Sequence, residues 1–155
     1  MIFYIFHLAI LASFAIVGLF FSIKREGIFQ KIITFGLIFS FLMTCTSNIY
    51  VVTVGMLLIV IMAVMTTVFG FKANDINKLE RFGICTAGLF YAIKMLFQIM
   101  HWPGINIMKL ILIIPLISYL TGLMININKR QSINEIGFMF IWLILIIFDI
   151  MNFLI

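Results

Sequence analysis

The chain has 155 residues, 65% hydrophobic and 10% charged, with a mean hydropathy of +1.31 and a formal net charge of +5. A soluble domain is about 45–50% apolar and about 25% charged, so this composition excludes one and calls for a bilayer, where a helix satisfies its own backbone. The positive charge is spread over short polar intervals, which excludes a nucleic-acid-binding stripe, and no nucleic-acid partner is expected.

A spanning helix needs about 20 mostly apolar residues. In chain order, spans are expected at about 2–23, 29–46, 50–71, 82–101, 105–127 and 136–155, making residues 1–155 one all-α polytopic bundle. The first carries His7 and has its basic residues after the apolar run, so it reads as an uncleaved span and not a signal peptide. The second is the shortest, its end blurred by Thr44, Thr46, Ser47 and Asn48. An uninterrupted third span leads to the polar interval Lys72 to Arg81. On the fourth, Ala87, Tyr91, Lys94, Gln98 and His101 recur at the helical spacing that lines one face. Its small residues Gly83, Ala87 and Gly88 allow close helix contact.

The turn that follows is HWPG, His101 to Gly104. Trp102 belongs at a membrane interface, Pro103 is expected to stop the fourth helix, and Gly104 permits a tight reversal. The fifth span carries Lys109 near its start, shallow enough to snorkel, and holds Pro115 at its middle, where a kink is expected to serve packing. The sixth carries Asp149, with Trp142 and Asn152 on the same face.

Loop charges orient the bundle. Lys24, Arg25 and Lys31 surround the first connection, Lys72, Lys78 and Arg81 the third, Lys129 and Arg130 the fifth. The second and fourth turns carry no permanent charge. The charged side is expected in the cytoplasm, with both termini extracytoplasmic and the protein multi-pass in the inner membrane. On that topology His7, Lys94, Gln98, Lys109 and Asp149 gather about 6–10 Å below the outer surface, with His101 at its edge. A lone charge there must pair, snorkel or neutralise, so Asp149 is expected to pair with Lys94 or, as second choice, Lys109. Three readings stay open: a pair that fixes helix packing, a working proton or ion site, and independent snorkelling.

Cys45 and Cys85 lack ligand spacing and read as small buried thiols. Two histidines without a carboxylate at ligand spacing are a poor metal site. With no phosphate loop, no HExxH and no acidic pair, neither a cofactor nor catalysis is expected; a membrane enzyme using His7 and His101 is the least favoured class. The remaining expectation is a structural or accessory subunit or a membrane binding module. Its partners are the lipid bilayer and other membrane subunits or a second copy of the chain. The alternative is a small transporter, or a proton-coupled channel or motor component, relaying through Lys94, Asp149 and His101.

The segment FQIMHWPG, Phe97 to Gly104, with apolar helix on both sides, resembles a hairpin of Bacteroidetes membrane proteins. Its best-known bearers are the GldL family, inner-membrane subunits of the proton-powered motor of gliding and type IX secretion. The likeness covers roughly residues 83–126. Where the family has FK-x-x-HW, Gln98 stands at the lysine position and Lys94 lies one turn earlier. The glutamate of the family's second helix has no counterpart in INIMKLILIIPLISYLTGLM, its long cytoplasmic region is missing, and four extra spans are present. The resemblance implies a hairpin and an inner-membrane setting, and does not carry the motor function.

Overall fold

The structure, a computed structural model, describes residues 27–73, 76–128 and 136–154, together with the helical positions Ile16 and Phe20. Among them every regular element is a helix. The expected first span, with His7, and the basic residues Lys24, Arg25, Lys129 and Arg130 lie outside the described residues, apart from Ile16 and Phe20.

Helix α1 (Ile28–Thr44) begins where the Gly27 N–H donates to the Gln30 side chain. At its other end the Thr44 hydroxyl donates to the Phe41 carbonyl (2.7 Å) and the Thr46 hydroxyl to that of Met43 (2.9 Å). The polar run that blurs this span in sequence is therefore the device that occupies its last free carbonyls. Asn48 then opens α2 (Ile49–Lys72), its side chain accepting from the Tyr50 N–H at 3.0 Å. Asn77 opens α3 (Lys78–Ile99) in the same way, accepting from Leu79 at 3.3 Å. That cap starts α3 at residue 78 and not 82, turning KLER from expected loop into the first helical turn.

The expected fifth span is interrupted. Helix α4 (Ile105–Ile111) stops, Leu112 forms a turn, and α5 (Ile113–Asn128) continues. Proline lacks an N–H and its ring crowds the carbonyl four residues back, which for Pro115 is Ile111, the last residue of α4. Helix α6 (Ile136–Leu154) completes the described chain.

Helix α3 is the centre, with α2 on one side and α5 on the other. Its contact with α5 is reciprocal. A Cβ on Gly83 would come within 2.8–2.9 Å of the Tyr119 backbone, and one on Gly122 within 2.7–2.9 Å of the Glu80 backbone. Each glycine thus admits the other helix's main chain, the small-residue packing typical of membrane helices. By contrast, α6 lies closest to α1, α4 and α5. It reaches α2 and α3 through long side chains, as described below.

Polarity is distributed inside out. Gln30, Thr34, Ser40, Thr66, Glu80, Lys94, Asn126 and Asp149 are buried, whereas Phe35, Phe39, Ile61, Val64, Leu96 and Ile117 are exposed. Ile49–Lys72 (24 residues), Lys78–Ile99 (22) and Ile105–Asn126 (22) are long and apolar enough to cross a membrane, the mark of a membrane protein. The shorter α1, 17 residues, spans about 26 Å. Cys45 corrects an expectation: it is an exposed free thiol, because α1 ends at Thr44 and leaves it in the turn, while Cys85 is half-buried and free.

Candidate functional site

The strongest polar feature joins α3 to α6. Lys94 Nζ lies 2.9 Å from both carboxylate oxygens of Asp149, and the two side chains are only 4% and 12% exposed. One ammonium thus donates to both oxygens of one carboxylate. Lys94 Nζ also sits 3.6 Å from Met95 Sδ and 5.0 Å from the centre of the Tyr91 ring. A cation over a desolvated aromatic face gains about 2 kcal/mol. The Tyr91 side chain is in turn a neighbour of the Asp149 carboxylate.

Tyr91 carries the arrangement onward. Its ring meets that of Trp142 edge to face, with centroids 4.9 Å apart and planes at 67°. Trp142 Nε1 donates to Thr66 Oγ1 at 2.9 Å, and the Thr66 hydroxyl donates to the Met62 carbonyl at 2.8 Å. Helical periodicity explains the juxtaposition. Tyr91 and Lys94 share a face of α3, and Trp142 and Asp149 lie two turns apart on a face of α6. The result is a buried bridge running from α2 through α6 to α3. It consists of long side chains filling space between helices whose backbones stand apart, unlike the glycine contact of α3 with α5.

Of the expected cluster, the structure brings Lys94 and Asp149 together. Gln98 is half-buried one turn further along α3, and His101 is exposed in the turn. Lys109, half-buried on α4, is near enough for its charge to act on Lys94 but forms no ion pair among the described residues. Gln98 and His101 instead line a separate cavity of about 420 Å³ with Thr53, Met56 and Trp102. Among the described residues no group of three or more His, Cys, Asp or Glu is placed to hold a metal.

The HWPG turn has a different logic from the one expected. Helix α3 ends at Ile99, ahead of Pro103, and its stop is a left-handed cap. His101 takes φ +51°, its N–H donates to the Gln98 carbonyl at 3.3 Å, and the Trp102 N–H donates to that of Phe97 at 2.9 Å. These two bonds define the Schellman arrangement, which normally includes an apolar contact between the residue after the cap and the last turn. Trp102 supplies it, its ring edge-on to Phe97 at 5.1 Å and 87°. Pro103 follows a helix already closed, and Gly104, at φ +96°, caps α4.

Three residues escape a reading by hydropathy. Glu80, which reads as a loop acid, is fully buried in the first turn of α3, and Asn126 Nδ2 of α5 donates to its Oε2. The signal available was Asn77-x-x-Glu80, a helix-start pattern. Arg81, which reads as a topology charge, has a structural task as well. Its Nε donates to the Gly70 carbonyl (3.1 Å) and its Nη2 to that of Phe71 (2.7 Å), at the C-terminus of α2. Thr66 has no neighbour in sequence that would announce its bond to Trp142.

No family model, curated protein or solved structure matches the chain.

Proposed function

We propose that this is a small multi-pass inner-membrane protein without catalysis, acting as a structural or accessory subunit or a membrane binding module. Six spans and extracytoplasmic termini complete the reading, supported by the alternation of loop charge and by the HWPG hairpin. The observation that carries it is the enclosed Lys94–Asp149 pair. It clasps α6 to α3 across a gap, and its first-order effect is to set helix register and position.

Breaking one partner of a buried pair costs about 3–5 kcal/mol, because the other charge is left alone, whereas replacing both with apolar groups is close to neutral. Asp149→Asn and Lys94→Met singly should therefore depress the thermal unfolding midpoint and the membrane level of the protein. The double variant Lys94→Met/Asp149→Leu should recover both.

A second reading is favoured by Tyr91, a third titratable group whose ring centre lies 5.0 Å from Lys94 Nζ, which makes the pair part of a set suited to proton-coupled transport. On that reading Asp149→Asn leaves a stable protein and abolishes a response driven by a pH gradient in reconstituted vesicles. That outcome would overturn the packing role.

A further inference from the structure

The cavity beside the HWPG turn is not used by the bridge. Its volume, about 420 Å³, falls in the range of about 300–1,000 Å³ that small-molecule sites occupy. It lies where the start of α2 faces the end of α3, and its walls divide by depth. Gln98, His101 and Trp102 line it at the turn, whereas Val52 and Met56 line it along α2. From Ile49 to Met56 is seven residues, about 10 Å along the helix axis. The polar end thus sits at the turn, and the apolar end runs along the helices.

The polar end is rich in donors. Among the described residues, the Gln98 amide, the His101 imidazole and the Trp102 indole N–H have no hydrogen-bond partner. Thr53, the other polar lining side chain, donates to the Ile49 carbonyl at 2.9 Å. Of the described residues that line the cavity, none carries a permanent charge. His101 also holds φ +51°, a conformation that glycine adopts at lower cost. Backbone strain of this kind clusters at ligand sites, where the side chain is kept for what it touches.

These features describe a ligand. Donors without partners call for acceptor oxygens, and a lining without fixed charge calls for a neutral molecule. The Phe97 and Trp102 rings, edge to face at 5.1 Å, suit a flat ring, and the apolar extension suits a hydrocarbon tail. We infer that the cavity at the HWPG turn is a binding site for the headgroup of a membrane quinone. Its carbonyl oxygens take hydrogen bonds from His101 and Gln98, its ring lies beside Trp102, and its tail runs along Val52 and Met56. This rests on the reading of the chain as a membrane binding module and names what the module binds.

Trp102 is the reporter. The chain has two tryptophans, so in Trp142→Phe the remaining indole emission is that of Trp102. Titration of this variant in phosphatidylcholine vesicles with the short-tailed quinone decylubiquinone should quench that emission to saturation. His101→Gly and Gln98→Leu, added singly, should each weaken the affinity about fivefold, the loss of one hydrogen bond. His101→Gly separates binding from folding, because glycine relieves the left-handed cap: its unfolding midpoint should rise while its affinity falls. In the unaltered chain the quinone should raise the unfolding midpoint, and by less in Gln98→Leu. Quenching that never saturates, or affinities unchanged in both variants, would remove the site. Displacement by dioleoylglycerol as effective as by a second quinone would overturn the quinone and leave a binding module for another lipid.

Discussion

At the scale of single residues, His101 shows how a polar side chain in an apolar chain acquires a backbone explanation. Left-handed φ costs an L-residue about 1–2 kcal/mol, and glycine is the usual occupant of this cap position. His101→Gly should therefore raise stability by about 0.5–1 kcal/mol after the added freedom of the unfolded chain is counted, and His101→Val should lower it. Thermal unfolding in one detergent reads both. The same measurement applies to Trp142→Phe, which removes the hydrogen bond to Thr66 and should cost about 1 kcal/mol. Thr66→Val should cost more alone than in the Trp142→Phe background, since only the single change strands the indole N–H.

Legibility at this scale followed position in the hydropathy pattern. Lys94 and Asp149 were readable because each interrupts a long apolar run, and an isolated charge in such a run needs a partner. Glu80 was not readable, because its neighbours Lys78 and Arg81 make the segment look solvated, and only the cap at Asn77 draws it into the helix. Trp142 and Thr66 were individually unremarkable in sequence; their bond depends on how α6 sits against α2, which no local pattern encodes.

Between elements, two kinds of contact coexist. Where α3 meets α5, Gly83 and Gly122 bring main chains together and leave no room for a methyl group. Gly83→Ala should cost about 1–3 kcal/mol through overpacking against the Tyr119 backbone. Its readout is a lowered unfolding midpoint, and an unchanged midpoint would show that the helices separate freely. Where α6 meets α2 and α3, large side chains hold the distance. Gly83 was visible in sequence as one of the small residues of its span, but Gly122 and the reciprocity were not, since they depend on the relative phase of two helices. Likewise Pro115 announced a disturbance in the fifth span, whereas its place, at Leu112, follows from the carbonyl that the ring excludes.

For the whole molecule, an apolar exterior around a partly polar interior is the arrangement lipid selects, and composition alone sufficed to read it. Orientation is a separate matter, carried by loop charge, and it has a direct test. On the proposed topology, a cysteine placed at Lys72 in a background lacking Cys45 and Cys85 should react with an impermeant maleimide only after the inner membrane is opened. One placed at His101 should react in intact spheroplasts. Labelling of both from the same side would refute the alternation.

The distance in sequence between the partners of the buried pair sets a problem of timing. Lys94 and Asp149 are 55 residues apart. At translation rates of about 5–20 residues per second, α3 waits roughly 3–11 s in the nascent chain before its counter-charge has been made. During that interval the lysine is an unneutralised cation in a half-built protein, to be sheltered by the insertion machinery, by headgroups or by water. A chain arrested before α6 lacks this carboxylate, so Lys94 has no such counter-charge until α6 is in place.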